Sequence, residues 1–339
     1  MGYVGPVVIK HLKQKKTFVK GIDINFFSEN FNNRKNHSKF LPNIQVYKDM
    51  REIQKKDLDG YNNLIILAAL SNDPLGKLNP KLTKSINYDA TKNIINFALK
   101  LKFKKIIFAS SCSIYGFLKS NKDIVNEKYR SYPLTDYAKS KLNIEQFIKQ
   151  KKIKNTKFIS LRFGTACGVS PNMRFDIVLN NMFAHATIEK VIKIFSDGKP
   201  WRPLIDVDDM AKLITYFNET KSKTKNFEIF NAGSTKSNYT VLDLAKIINK
   251  SLPNSKIKIY NKSVNDKRSY KVNFDKLKKV LPKKFKFKDV NTSCKELKRW
   301  FKNERIKKIS KIYSTRFIRL KKIEKLVKSR KVDKKLNFI

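Results

Sequence analysis

Short apolar runs alternate along this chain with longer amphipathic stretches, the order expected of strands and helices wound around a parallel sheet. Asn63 to Leu70 is a continuous apolar run, the pattern of a parallel strand buried on both faces. Lys105 to Gly116 reads as a short apolar strand opening into a hydroxyl-rich turn, and Lys157 to Arg162 as another strand. Thr17 to Ile24 alternates toward a strand ending in Gly21-Ile22-Asp23. Between these lie helical patterns: Val7 to Leu12, a long amphipathic helix opened by Ile86-Asn87 and running to about Lys100, and one from Tyr137 to about Lys151. Pro133 keeps its predecessor out of helical geometry, and Thr135 or Asp136 can cap the last of these. Residues 25–45 and 117–132 read as polar loops. Further on, Arg174 to Asn181 starts a helix, and Phe230 to Ser234 followed by Tyr239 to Ala245 gives a strand, a turn and a capped helix. The pattern predicts an α/β fold, a doubly wound parallel sheet over residues 1–165. A smaller α/β lobe over 166–300 returns some segments to the main domain, and a basic helical tail spans 301–339. In that tail Ile309, Ile312, Phe317, Leu320, Ile323, Leu326 and Val327 recur at helical spacing, predicting helices packed on the body or on a partner. A membrane-surface helix is the alternative there.

Composition changes this picture little. The 339 residues carry 75 Lys+Arg against 28 Asp+Glu, a formal net charge of +47. Such a balance invites a nucleic-acid reading. The lysines are spread over the whole length among Ile and Asn, however, and no nucleic-acid motif accompanies them. We read the charge as compositional bias with a preference for anionic ligands, and expect no nucleic-acid partner. Cys112, Cys167 and Cys294 lack metal-ligand spacing, and their odd number, with no secretion signal, fits a reducing cytoplasm. The longest apolar run is too short to span a bilayer.

The chemistry centres on Tyr137-Ala138-Lys139-Ser140-Lys141. Four residues apart on a helix, Tyr137 and Lys141 share a face, and an ammonium beside a phenol favours the phenolate. The strand before it delivers Ser111, a second group able to bind the same substrate oxygen. At the other end, Gly2-Tyr3-Val4-Gly5 leads directly into a helix, the arrangement a dinucleotide's diphosphate needs for close backbone approach. Asp23, about 20 positions on, is placed for the adenosine ribose hydroxyls and favours NAD over NADP. Ala68 and Ala69 offer small side chains at a strand's carboxyl end, with Ser71 and Asp73 beyond them facing the nicotinamide ribose or the substrate.

Taken together, these stretches resemble the extended short-chain dehydrogenase/reductases, and within them the NAD-dependent nucleotide-sugar epimerase/dehydratase family, over roughly residues 1–300. The resemblance implies a Rossmann-like fold, NAD as cofactor, a nucleotide-sugar substrate, a homodimer, and a Ser111, Tyr137, Lys141 triad. It further implies that Asp49 and Met50 contact the adenine and that Asn87 braces the active-site strand at the cofactor. Ser113 and Asn180 would face the substrate, Asn180 at its phosphates. Ser196 to Met210 resembles a family segment in which Arg202 grips a diphosphate, and Arg268 stands where relatives hold the nucleotide phosphates. Dehydratases of the family place an Asp-Glu pair right after the catalytic hydroxyl. Cys112 and Ser113 stand there instead, which favours epimerisation, with nucleotide-sugar reduction or oxidation as the alternative. Thr165-Ala166-Cys167-Gly168 also departs from the family pattern. The family's first strand and first glycine would precede Gly2, so the chain reads as starting inside the phosphate loop, either from a misplaced start or as a truncated product. In the second case a non-catalytic Rossmann-like binding protein is the rival reading.

Overall fold

A computed structural model describes residues 1–27, 37–71, 79–118, 124–220, 225–260 and 268–339. In chain order its first strands are β1 (Lys20–Asp23), β2 (Ile44–Tyr47), β3 (Asn63–Ile66), β4 (Lys105–Ser111), β5 (Ile124–Val125) and β6 (Lys157–Phe163). They are followed by β7 (Thr165–Cys167), β8 (Val191–Ile194), β9 (Trp201–Asp206), β10 (Phe227–Ala232), β11 (Asn238–Thr240), β12 (Lys256–Ile259) and β13 (Lys271–Val272). Strands β3, β4, β6 and β10 form one parallel sheet in the order β10-β6-β4-β3, and β1 and β2 pair in parallel beside it.

Successive residues of a strand point to opposite faces, and here both faces are covered. Ile107, Ile159 and Leu161 pack with Val7 and Leu12 of the helix Gly5–Gln14 and with Leu213 and Phe217 of the helix Val207–Glu219. Ile106, Phe108 and Phe158 face the other way, onto Ile95 and Ala98 of the helix Thr91–Lys100 and Ile144 and Ile148 of the helix Asp136–Lys151. Ile22 and Leu64 join the second layer while Val19 and Ile65 join the first, so β1 and β3 sit between the same two layers. One expectation shifts. Asn63, Leu64 and Ile65 are only half-buried, because among the described residues β3 pairs on one side alone.

Beyond β6 the chain builds the smaller lobe from β11-β9-β7, from β12-β8, and from the helices Val178–Glu189, Val241–Ser251 and Val290–Glu304. The first of these helices starts later than Arg174, leaving residues 174–177 outside it. Phe175, Phe183, Trp300 and Phe301 join the same core as Ile107 and Leu161, so the two parts share one apolar interior. Strand β10 returns to the main sheet beside β6. The tail packs on the body. Ile312 and Phe317 enter the shared core, while Ile323, Leu326, Val332 and Leu336 pack on Phe26, Leu70, Leu82 and Ile86. No helix among the described residues is long and apolar enough to cross a membrane.

Candidate active site

The carboxyl ends of β1, β3, β4 and β6 face one rim, where open parallel sheets bind ligands. At the end of β4, Ser111 caps the turn Cys112–Tyr115, its Oγ accepting the Ser113 N–H at 3.1 Å. The turn closes at Gly116, with φ +65°, where an added Cβ would lie 1.9 Å from the Tyr132 carbonyl oxygen, so only glycine fits. The next helix is capped by Thr135, whose Oγ1 accepts the Ala138 N–H at 3.2 Å. That cap sets the rotation of the helix and hence the direction of Tyr137 and Lys141.

Lys141 is 3% exposed. Its Nζ lies 4.7 Å from the centroid of the Phe108 ring and 5.6 Å from that of Tyr137. Burial pushes its ammonium down to about 7, with Glu145 pulling the other way. Glu145 is committed elsewhere: it accepts from Arg162 Nη2 at 2.7 Å, from Arg162 Nε, and from Ser160 Oγ at 2.7 Å. Arg162 also donates to Tyr115 Oη, which donates in turn to Asn231. Cys112 donates its thiol to the Arg162 carbonyl at 3.0 Å, and burial raises that thiol far above its usual range. It is inert as an acid or base. Beside Ser111 the hydroxyls of Ser110 and Ser113 are buried with no partner among the described residues.

The adenosine half of the rim is built from the first loop. A Cβ added at Gly2 or at Gly5 would meet nothing within 4 Å, so open space lies over both. The helix Gly5–Gln14 begins with no side-chain cap at Val4 and no acidic residue in its first turn. Tyr3 turns inward: it is 4% exposed, its phenol donates to the Gly168 carbonyl, and burial raises its pKa. Its side chain is spent there, and its carbonyl accepts from Ser170 Oγ. Asp23, ending β1, pairs with the Met1 amino group and accepts from the Asn25 N–H. Asp49 caps the turn Met50–Glu52 and holds Arg51 at 2.6 Å, while Met50 packs between two apolar clusters. Ala68 is exposed and Ala69 half-buried at the end of β3. Asp73 lies outside the described residues.

Three residues stand differently from their expected roles. Asn87 sits in a π-helical turn, Ser85–Ala90, and spends both amide ends on Leu70, accepting from its N–H at 2.8 Å and donating to its carbonyl. It braces the exit of β3 and reaches the cleft only through that segment. Ser71 Oγ accepts from Arg174 Nη1 at 3.0 Å. Asn180 is fully buried and ties Gly168, Arg174 and Tyr3 together through its amide, which leaves it knotting a loop instead of meeting phosphates. Arg202 Nη1 donates to the Arg268 carbonyl, which brings the two segments side by side. Sequence reasoning missed Arg174, which joins Ser71 and Asp176 and whose pKa, against the pull of burial, Asp176 raises. Its spacing from Asp176, two residues on, was the available signal. A separate cavity of about 550 Å³, lined by His11, Lys212 and Phe285 among others, also touches Thr220, whose carbonyl receives Lys105 at the amino end of β4. It lies on the opposite side of the sheet from this rim.

With that geometry in place, the sequence profile of the NAD dependent epimerase/dehydratase family matches residues 1–233. The chain belongs to this family. Among curated relatives, an N-acetyl-alpha-D-glucosaminyl-diphospho-ditrans,octacis-undecaprenol 4-epimerase from Escherichia coli O157:H7 is 32% identical over 118 residues, 34% of each chain. A putative UDP-glucose 4-epimerase from Methanocaldococcus jannaschii is 29% identical over 219 residues, 62% of this chain and 68% of that one. The chain thus spans about a third of the first relative and about two thirds of the second. Among solved structures, UDP-glucose 4-epimerase from Thermotoga maritima superposes with a TM-score of 0.75 at 19% identity, covering 90% of this chain and 97% of the other. An NAD dependent NDP-hexosamine 5,6-dehydratase of tunicamycin biosynthesis gives 0.75 at 15% identity, covering 89% and 95%. These likenesses bear out the Rossmann-like fold. NAD is the cofactor of the family. The open space over Gly2 and Gly5, the uncapped helix start and exposed Ala68 fit a dinucleotide.

Proposed function

We propose that this member of the family is an NAD-dependent epimerase acting on a nucleotide-sugar through a transient keto sugar. The single observation that carries the reading is the buried Lys141 ammonium 5.6 Å from the Tyr137 ring, on the helix beside the Ser111 turn. Bound NAD would supply reversible hydride acceptance at the sugar carbon. Ser111 Oγ binds the sugar hydroxyl and fixes its orientation. Tyr137 Oη takes that hydroxyl's proton and gives it back. Lys141 stabilises the phenolate by charge, an effect amplified where water is excluded. Arg202 and Arg268 steer the diphosphate, and the Gly2–Gly5 loop, Asp23 and Ala68 hold the adenosine half of the cofactor. Cys112 in the turn after Ser111 is inert, and Glu145 on the neighbouring helix is saturated by Arg162 and Ser160, so neither serves as an acid for elimination.

The test is direct. Protein and NAD are incubated with a panel of nucleotide-sugars, and products are followed by proton NMR. The proposal predicts an epimer of one sugar, and Tyr137→Phe should lower turnover about a thousandfold while NAD binding stays nearly intact. An unsaturated product, or turnover that survives Tyr137→Phe, would refute it.

A further inference from the structure

The helix Gly5–Gln14 starts at the glycine loop and runs to the far end of the sheet, packed beside the helix Val207–Glu219. Between the last turns of these two helices lies the cavity of about 550 Å³, at the amino end of β4 and away from the rim. Its volume falls in the range of small-molecule sites. A strap of chain makes the third wall. Residues 281–289 join the helix Asp275–Val280 to the helix Val290–Glu304, and the chain is tied to the helix Val207–Glu219 at both ends of that segment. At one end Tyr216 Oη donates to the Val280 carbonyl at 2.6 Å, and at the other the Lys288 N–H donates to Asp209 Oδ2 at 2.6 Å. Between these anchors the strap brings Pro282, Lys284, Phe285 and Lys286 to the lining. Phe287 braces Phe285, their ring centroids 5.0 Å apart, so Tyr216 and Phe285 give the cavity a fixed apolar wall.

The charge around that wall is one-sided. Lys15, Lys212, Lys284 and Lys286 line the cavity, against one carboxylate among the described residues, Glu219. Glu219 is committed elsewhere, its Oε1 accepting from Thr17 Oγ1 at 3.0 Å and from Asn218 Nδ2 at 2.8 Å. Lys212 is matched by Asp208 and Asp209, each at 2.9 Å, and Asp208 also holds His11 at 2.7 Å. Lys15, Lys284 and Lys286 are exposed and have no counter-charge or acceptor among the described residues. A lysine near a helix end can answer the negative pole of that helix. For the helix Val207–Glu219 that task falls to Lys105, whose Nζ donates to the carbonyls of Phe217, Asn218 and Thr220. Lys284 and Lys286 lie on the strap, outside any helix. Lysines are common over this whole surface; these ring an apolar hollow.

We propose that this cavity is a second ligand site, separate from the cofactor cleft, for a small organic anion: an aromatic or aliphatic body carrying a carboxylate or a phosphate. The body rests on Tyr216 and Phe285, and the head group meets Lys284 and Lys286, with Lys15 from the helix Gly5–Gln14. Ammonium groups on flexible stems hold such a head as point charges, so either head group can be accepted. An uncharged body would gain the wall alone, and a bare anion the charge alone.

Calorimetric titration of the full chain with 1-naphthoate, 1-naphthyl phosphate, 1-naphthamide and inorganic phosphate, with and without saturating NAD, tests this. One equivalent of an aryl anion should bind in both conditions, and the tighter of the two identifies the preferred head group. Naphthamide and inorganic phosphate should each bind at least about tenfold more weakly. Lys284→Gln combined with Lys286→Gln should weaken the aryl anions about fivefold. Lys246→Gln combined with Lys250→Gln removes the same charge from the helix Val241–Ser251, outside this lining, and should change their affinity less than about twofold. All four side chains are exposed, so both pairs should melt like the wild type. Absence of saturable binding, displacement of the aryl anions by NAD, or equal affinity for naphthoate and naphthamide would overturn the proposal. So would equal weakening by the two lysine pairs, which would mean that net charge alone attracts the probes.

Discussion

Arg162 and Lys141 are buried to a similar depth, 4% and 3% exposed, around the same carboxylate, and differ in what that carboxylate does for them. Arg162 receives Glu145 through two nitrogens, shares it with Ser160, and adds Tyr115, so nearly every polar group of the cluster is matched. Lys141 rests on two aromatic rings, and burial drops its pKa to about 7. The first cation holds β6 to the helix Asp136–Lys151 and has no charge to spare. The second sits against the Phe108 and Tyr137 rings, with Glu145 acting on it only at a distance. Stability and chemistry are separated within one helix, four residues apart. Around Asp176 the contrast is milder: Arg174 pairs with it directly, while Arg319 bonds Asn172 and keeps Nη1 without an acceptor among the described residues.

Removing the shared carboxylate is the harshest way to break this comparison. Glu145→Gln would leave Arg162 buried without its counter-charge and should cost about 3 to 5 kcal/mol in urea unfolding. A loss below about 1 kcal/mol would show that the pair is not the scaffold. Lys141→Met works in the opposite direction. Its folded pKa lies below the unfolded one, so the wild type carries a penalty at pH below about 7 that fades as pH rises toward 10. The methionine variant should therefore be more stable by about 2 to 4 kcal/mol at pH 6, with the gain shrinking toward pH 10, and inactive at both. A variant less stable at pH 6 would contradict this. Thr135→Ala sharpens the comparison least. It removes the cap of the helix that carries both groups and should cost about 1 kcal/mol by thermal unfolding, lowering activity only as far as Tyr137 turns.

The main sheet and the Tyr137 helix with its cap were legible because each depends on local pattern, whereas the meeting of the Arg202 and Arg268 segments was not. Strand periodicity marks β4 and β6, and Pro133 with Thr135 marks the helix start. What stayed hidden depends on contacts far apart in sequence. Asn180 and Asn87 carry the right residue type, yet their amides are consumed by Gly168 and Leu70. A side chain's hydrogen bonds are settled by whichever backbone reaches it, which no local spacing reports. Arg319 is the extreme case: the tail's apolar period predicted that it packs, and only the fold shows that it reaches Asn172, 147 residues away. The fate of Glu145 was equally invisible, since Arg162 and Ser160 lie on a strand formed after its helix ends.

The most direct test is the protonation of Lys141 itself in the ligand-free protein. Titrating its side-chain methyleneammonium carbon by NMR, assigned by comparison with Lys141→Arg, should give a midpoint near 7, well below that of the surface lysines. A midpoint at or above the ordinary lysine value of about 10.4 would mean that the ammonium is solvated or paired, and would contradict the account of Tyr137 activation.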